Sequence, residues 1–207
     1  MDVYSAPITF LLLLCNVLIS LFVLNGPPQN MNRLSFRPLA ILRDKEYYRF
    51  LSAGFVHVDM GHLFVNMFTL FFFGPFLERR LGPVDFTVVY FGSMFIANAA
   101  TLYFHRESES YSAVGASGAI SGVLFAFCLF QPFSTIYLFA IVPIVAILYA
   151  VLFVWGSIYF MKRNQQTGRG MVAHEAHLGG AIGGILVTIL VHPQSINIFL
   201  GQIGRFF

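Results

Sequence analysis

The chain consists of long apolar runs separated by short polar stretches. Six runs cover about residues 7–24, 61–77, 84–104, 113–130, 134–161 and 173–191. A helix of roughly 20 apolar residues crosses the hydrocarbon core of a bilayer. The second run is followed at residues 78–83 by charged residues, glycine and proline, which together are a firm helix stop. The pattern therefore predicts an all-α polytopic membrane protein with six transmembrane helices.

Two of the runs and one of the loops need separate interpretation. The first run has the length of a signal peptide, but Asp2 replaces the usual positive charge and no A-x-A-like site follows, so we expect a retained span. The fifth run, about 28 residues long, must tilt, kink at Pro143 or extend beyond the bilayer. Residues 25–61 mix basic with aromatic and aliphatic side chains, which predicts a partly embedded interfacial loop.

Composition excludes several classes of protein. The chain is 57% hydrophobic and only 10% charged, so a soluble globular domain is excluded. No polar segment is long enough to fold alone, and we expect a single membrane domain over residues 1–207. The net charge of +3 does not indicate a nucleic-acid partner, because the basic residues are scattered between apolar runs.

Four polar side chains lie near the N-terminal ends of the even-numbered runs: His62 and Asn66 in the second, Ser117 in the fourth and His177 in the sixth. Successive spans alternate in direction, so these ends face the same side of the membrane and the four side chains can share one depth. A lone hydroxyl more often bonds to a helical carbonyl. Ionisable residues within a membrane are costly, however, and are functional candidates.

The four side chains suit acyl transfer. A serine hydroxyl becomes a strong nucleophile when a neutral imidazole removes its proton, and Ser117 and His177 supply this pair. His62 and Asn66, spaced i, i+4, share one helix face and could donate to an oxyanion beside the backbone N–H of Ser117. No acidic residue is suitably placed to orient His177. The residues therefore predict a catalytic dyad.

Small residues accompany the serine and the histidine. The fourth run has glycine at positions 115, 118 and 122, and the sixth run contains Gly180 and Gly184. Glycines at spacings of three and four leave a smooth strip that allows a neighbouring helix backbone to approach closely.

Together these motifs resemble those of the rhomboid intramembrane serine proteases of the basic six-helix type, over nearly the whole chain. The matches are Gly115-Ala116-Ser117-Gly118 to G-x-S-G, residues 176–180 to A-H-x-x-G with Gly184 as the second glycine, residues 62–66 to H-x-x-x-N, residues 78–80 to E-x-R, and Tyr48-Arg49 to W-R with tyrosine substituted.

The resemblance implies a role for each matched residue: Ser117 as nucleophile, His177 as general base and acid, His62 and Asn66 as oxyanion donors, and Glu78 and Arg80 as structural residues at the far end of the second helix. One position departs from the family. Ser121 stands where some members have a tyrosine stacked on the catalytic histidine. We expect packing of Gly118 against Gly180 to position His177 instead.

The implied function is that of an intramembrane serine endopeptidase, whose partners are transmembrane protein substrates and the lipid bilayer. The alternative is a catalytically silent rhomboid-like protein that binds transmembrane helices. The complete set of four polar side chains favours the protease. A small transporter is disfavoured because paired repeats and intramembrane carboxylates are absent from the sequence. The oligomeric state stays open.

Three further histidine interpretations remain. Residues 174–177 read H-E-A-H, whereas a zinc protease helix needs H-E-x-x-H, so we expect no metal and no cofactor. His57 lies in a loop and is interpreted as a hydrated histidine, with a further oxyanion donor as the alternative. His174 has no assigned role.

The resemblance also implies cytoplasmic termini, an active site open to the outside, and a location in the plasma (inner) membrane of a prokaryote. In that orientation nine of the 12 basic residues lie outside, and the positive-inside rule points the other way. We expect the family orientation, because the charges of the first loop belong to a folded interfacial element.

Overall fold

The structure is a computed structural model that describes residues 5–138, 141–167 and 173–206. In these ranges the helices are α1 (Pro7–Leu24), α2 (Pro28–Leu34), α3 (Pro38–Arg43), α4 (Arg49–Ser52), α5 (Met60–Leu81), α6 (Pro83–His105), α7 (Ser117–Phe130), α8 (Ala146–Thr167), α9 (His174–Val191) and α10 (Gln194–Phe206). A 3₁₀ turn covers Ala53–Phe55, and strands β1 (Thr135–Leu138) and β2 (Val142–Val145) lie between α7 and α8.

The helices confirm a polytopic helical membrane fold. Among the described residues, α1, α5, α6, α8 and α9 are long and apolar enough to cross a membrane. The remaining apolar helix, α7, has 14 residues and is shorter than the others. The count of six full-length spans is therefore not confirmed.

The fifth apolar run does not form one long helix. Its first part is an antiparallel hairpin in which Thr135 pairs with Val145 and Leu138 with Val142. Pro143 lies in β2, so of the three alternatives for this run the helix kink at Pro143 is wrong. β-Branched residues favour the strand here, and proline lacks the N–H that a helix interior needs. The polar stretch after this run, residues 162–170, is helical up to Thr167. Residues 168–170 lie outside the described residues.

The first loop is folded around Arg49, whose side chain is only 6% exposed. Its guanidinium donates to the carbonyls of Asn32 at 2.9 Å and Ser35 at 2.6 Å, and to Glu46 at 2.6 Å. A buried guanidinium needs such a set of acceptors, because an unpaired buried charge is costly. Arg49 therefore holds the short helices α2 to α4 together as one unit.

Helix α9 packs closely against both α6 and α7 because each contact surface carries glycine. A methyl group at Gly180 would overlap the backbone of Gly118, and one at Gly184 would overlap that of Gly122. On the adjoining face, a methyl group at Gly179 would lie 2.9 Å from the Cβ atom of Ala100 in α6. The glycines thus permit a backbone-to-backbone approach that brings the N-terminal ends of α7 and α9 together.

The far end of α5 carries a carboxylate that caps α1. Glu78 is 2% exposed, and it accepts hydrogen bonds from the backbone N–H groups of Ile8 at 2.9 Å and Thr9 at 2.7 Å and from the hydroxyl of Thr9 at 2.7 Å. The first N–H groups of a helix have no partner within that helix, and a negative charge is favourable there. The guanidinium of Arg80 lies 5.2 Å from the centre of the Phe130 ring. The structural role expected for the two residues agrees with these contacts and stays a prediction.

Replacing Glu78 by alanine is expected to lower the free energy of unfolding by about 3 kcal/mol, since it leaves buried donors of α1 unpaired. Glutamine keeps one acceptor oxygen and should cost less. The exposed carboxylate of Glu107 supplies the control, and Glu107→Ala should leave stability unchanged. Denaturant titration in detergent measures all three variants, and equal stability of Glu78→Ala and wild type would contradict the capping role.

Candidate active site

Ser117 and His177 lie within hydrogen-bonding distance. The hydroxyl oxygen of Ser117, the first residue of α7, is 2.8 Å from Nε2 of His177 in the first turn of α9. The helices that carry them cross at the glycine contacts, so the pair depends on the close approach of the two backbones. A serine hydroxyl at this distance from an imidazole nitrogen can transfer its proton to it.

Residues 113–116 precede Ser117, the predicted nucleophile, and form the segment that we call the nucleophile turn. Ala113 pairs through both backbone groups with Phe36, and the N–H of Gly115 donates to the carbonyl of Ala53 at 2.9 Å. Gly115 has a backbone φ angle of 126°, which residues with a side chain rarely adopt. The folded first loop therefore supports the nucleophile turn from one side.

His62 lies beside this turn, in the first turn of α5, and Asn66 lies one turn further along the same helix. A methyl group at Gly115 would lie 2.6 Å from Cε1 of His62, so the imidazole packs directly on that glycine. Nδ1 of His62 and Nδ2 of Asn66 are buried and have no hydrogen-bond partner among the described residues. Asp59 caps α5 by accepting from the N–H of His62 at 2.7 Å. Two unpaired buried nitrogens one turn apart on α5 suit a ligand that accepts hydrogen bonds.

The ring of His177 has aromatic neighbours that sequence reasoning missed. Phe153 of α8 lies 6.2 Å away at an interplanar angle of 35°, and His174 lies 6.2 Å away at 87°. Ser121 is buried on α7. Nothing in the local sequence of α8 marks Phe153, because its proximity depends on how α8 packs. The expectation that Gly118 and Gly180 position His177 agrees with the helix contact and stays a prediction.

A second unforeseen cluster links α9 to the loop before Ser117. The carboxylate of Glu175 accepts from the hydroxyl of Tyr111 at 2.7 Å and lies 2.9 Å from Nε2 of His105. The rings of His105 and Tyr111 stack with centroids 3.7 Å apart. Burial and the Glu175 carboxylate raise the pKa of Tyr111, so its hydroxyl stays protonated and donates. The cluster ties the C-terminal end of α6, the α6–α7 loop and the first turn of α9 together.

His57 is not a hydrated loop histidine, because its side chain is completely buried. The interpretation from sequence is wrong here, since His57 contacts Ser20 of α1, Ala116 and His62. In the part of the chain that the structure describes, no group of three His, Cys, Asp or Glu side chains could hold a metal ion.

Ser117 and His177 thus form a hydrogen-bonded serine–histidine pair within a polytopic helical membrane fold. The model of the rhomboid domain matches residues 44–194, which is most of the chain. The protein belongs to the rhomboid family.

Named relatives include proteases and inactive proteins. The chain is 30% identical to "RHOMBOID-like protein 12, mitochondrial" of Arabidopsis thaliana over 63% of this chain and 42% of the relative. It is 42% identical to "Putative rhomboid protease YdcA" of Bacillus subtilis over 42% of each chain. It is 29% identical to "Inactive RHOMBOID-like protein 8" of Arabidopsis thaliana over 46% of this chain and 27% of the relative.

The comparisons limit two expectations. The matched parts cover less than half the length of each of these relatives, and both protease-named and inactive proteins occur among them. The relatives come from mitochondria as well as from bacteria, so a prokaryotic plasma membrane is not supported. The apolar helices and the family do support an integral multi-pass membrane protein.

Proposed function

We propose that this rhomboid protein is an intramembrane serine endopeptidase that cleaves transmembrane segments of other membrane proteins with a Ser117–His177 dyad. The observation that carries the proposal is the 2.8 Å contact between the Ser117 hydroxyl and Nε2 of His177. Membership of the rhomboid family and a protease-named relative support it.

In the proposed acylation step, the Ser117 oxygen attacks the scissile carbonyl carbon while its proton moves to Nε2 of His177. The carbonyl oxygen becomes an oxyanion, which accepts hydrogen bonds from His62, Asn66 and the N–H of Ser117. As the first residue of α7, Ser117 has an N–H group without an intrahelical partner. The C–N bond then breaks as His177 returns the proton to the leaving amine, and an acyl-enzyme remains.

Deacylation repeats the same proton transfers with water as the nucleophile. Water gives a proton to His177 as its oxygen attacks the acyl carbon, and the breaking ester oxygen of Ser117 then takes that proton back. The second tetrahedral oxyanion uses the same donors, so one arrangement of side chains serves both steps.

The substrates we propose are helical segments that open readily in the membrane. A peptide bond in a lipid-embedded helix is shielded by the backbone hydrogen bonds around it, and exposing it leaves polar groups unsatisfied. Segments with glycine, proline or polar residues near the cut bond lose less on opening and are therefore the preferred class.

The proposed unit of function is a single membrane domain over residues 1–207. The family model begins after α1, yet Glu78 joins α1 to α5 through three hydrogen bonds. At the other end, Gln202 of α10 donates to the carbonyl of Phe130 in α7 at 2.6 Å. Both terminal helices are therefore bonded to the helical core.

A silent protein that binds transmembrane helices is the alternative, because an inactive relative exists. One experiment separates the two functions. The purified chain is reconstituted in liposomes, exposed to a fluorophosphonate probe, and incubated with a single-span substrate. Labelling and cleavage support the protease. Substrate capture without labelling or cleavage supports the silent protein.

Replacing Asn66 or His62 by alanine is expected to lower kcat roughly 10²–10³-fold, because removal of one oxyanion donor costs about that much. The fold should tolerate the change, since their buried nitrogens make no other hydrogen bond among the described residues. Thr69 on the same helix offers a control, as the hydrogen bond of its hydroxyl among the described residues goes to the Val65 carbonyl of its own helix. Steady-state rates in liposomes that are equal for Asn66→Ala and Thr69→Ala would exclude Asn66 as a donor.

A further inference from the structure

Both ring nitrogens of His57 make hydrogen bonds within the buried side of the site. Nδ1 lies 2.9 Å from the hydroxyl oxygen of Ser20 on α1, and Nε2 lies 3.4 Å from the backbone nitrogen of Ala116. The side chain is completely buried, as is that of Ser20. His57 therefore bridges α1 and the nucleophile turn.

The donors and acceptors of this chain of contacts determine the tautomer. The Ser20 hydroxyl donates to the carbonyl of Phe55 at 3.0 Å, so its oxygen accepts from Nδ1–H of His57. Nε2 is then unprotonated and accepts the N–H of Ala116. Burial, reinforced by the nearby His62 and opposed by Asp59, lowers the pKa of His57 to about 3. The imidazole stays neutral at physiological pH, in one tautomer.

His57 contacts both halves of the proposed catalytic apparatus. Ala116 immediately precedes Ser117, and its carbonyl accepts the N–H of Ile120 at 2.9 Å in the first turn of α7. The ring of His57 also packs edge-on against that of His62, with centroids 5.0 Å apart and planes at 73°. One residue thus fixes the peptide group before the nucleophile and one face of an oxyanion-donor candidate.

We propose that His57, oriented by Ser20, is a positioning residue that holds the nucleophile turn and the His62 ring in their reactive arrangement. The proposal rests on the protease function above. Because Nε2 of His57 accepts from the Ala116 N–H, that amide is already paired and does not serve the oxyanion. The neighbouring Ser117 N–H is left for it. The role extends the site to α1 through Ser20.

The size of the expected effect follows from geometry. A misplacement of about 1 Å at a reacting group can cost about 10²-fold in rate. Loss of the acceptor at Nε2 leaves the Ala116 N–H unpaired in a buried place, and the turn must shift to find a new partner. The loss should appear in kcat, because no contact of His57 with the substrate is needed.

The test compares four variants with wild type in liposomes. His57→Leu removes both hydrogen bonds, His57→Gln keeps an acceptor oxygen near the position of Nε2, and Ser20→Ala removes the orienting hydroxyl. Ser195→Ala is the matched control, because Ser195 is also a buried serine. It lies in the first turn of α10, just after the C-terminal end of α9. The measurements are kcat and KM on a single-span substrate, the fluorophosphonate labelling rate, and the unfolding temperature.

We expect His57→Leu to lower kcat and the labelling rate about 10²-fold with KM changed less than about twofold. His57→Gln should recover most of that loss. Ser20→Ala should cost about 10-fold and add little to His57→Leu, because the two act through one contact. Ser195→Ala should match wild type.

Three results would overturn the inference. The first is wild-type labelling and cleavage by His57→Leu, and the second is a His57→Gln variant no better than His57→Leu. The third is a Ser20→Ala variant with wild-type rates. If His57→Leu fails to fold, the rates of Ser20→Ala and His57→Gln decide whether the inference holds. A folded wild type that is never labelled refutes the protease function instead, and the inference falls with it.

Discussion

Ser117→Ala is expected to abolish cleavage of a transmembrane substrate, with a loss of roughly 10⁴–10⁶-fold in kcat. The reason is that the hydroxyl is the proposed nucleophile and the described contacts offer no substitute for it next to His177. The fold should persist, because Ser117 is the first residue of α7 and the change removes a single hydroxyl whose partner is His177. Fluorophosphonate labelling should vanish together with the cleavage.

Ser121 provides the control for this experiment. It is a buried serine one turn further along α7, so Ser121→Ala removes the same hydroxyl from the same helix, one turn away from the proposed nucleophile. This variant should cleave and label at rates close to wild type. Persistent cleavage by Ser117→Ala would refute the nucleophile assignment, whatever the behaviour of Ser121→Ala.

The second large effect is expected for His177→Ala, which should be as inactive as Ser117→Ala. Without the imidazole, the Ser117 proton has no acceptor and the leaving amine has no donor. Because the two residues act as a unit, the double variant should be no slower than either single one. Single-turnover cleavage in liposomes measures the three rates.

His192, at the other end of α9, provides the control for this experiment. It follows the last residue of α9, and its ring lies 5.6 Å from that of Phe130, at the end of the helix opposite to the proposed site. His192→Ala should therefore retain activity. Additive losses in the Ser117/His177 double variant would contradict a dyad, and inhibition by a chelator with recovery on adding zinc would favour a metal mechanism.

Sequence reasoning located the long helices well because the cost of exposing backbone to lipid fixes them. The first run ends where α1 ends, at Leu24, and the helix stop predicted at residues 78–83 contains Gly82, the C-cap of α5. The polar side chains of the site were also visible, because each is an exception within an apolar run. The expectation that they share one depth came from alternating helix direction alone.

The remaining features depend on tertiary packing that local patterns do not encode. The hairpin at Thr135–Leu138 and Val142–Val145 is as apolar as a helix would be, so hydropathy could not separate the two. The partners of His57 and Glu175 lie far away along the chain: Ser20 and Ala116 for one, His105 and Tyr111 for the other. A histidine in a loop gives no sign of its burial until the loop is folded.

The shortness of α7 has a consequence for the lipid. Its 14 residues rise about 21 Å, whereas the hydrocarbon core of a bilayer is about 30 Å thick. If Phe130 lies at one surface of that core, Ser117 lies about 9 Å beneath the other. A thicker bilayer sinks the hydroxyl further from water, and a thinner one raises it. The hydrophobic mismatch between α7 and its host bilayer thus links the hydration of the site to the acyl-chain length of the surrounding lipids.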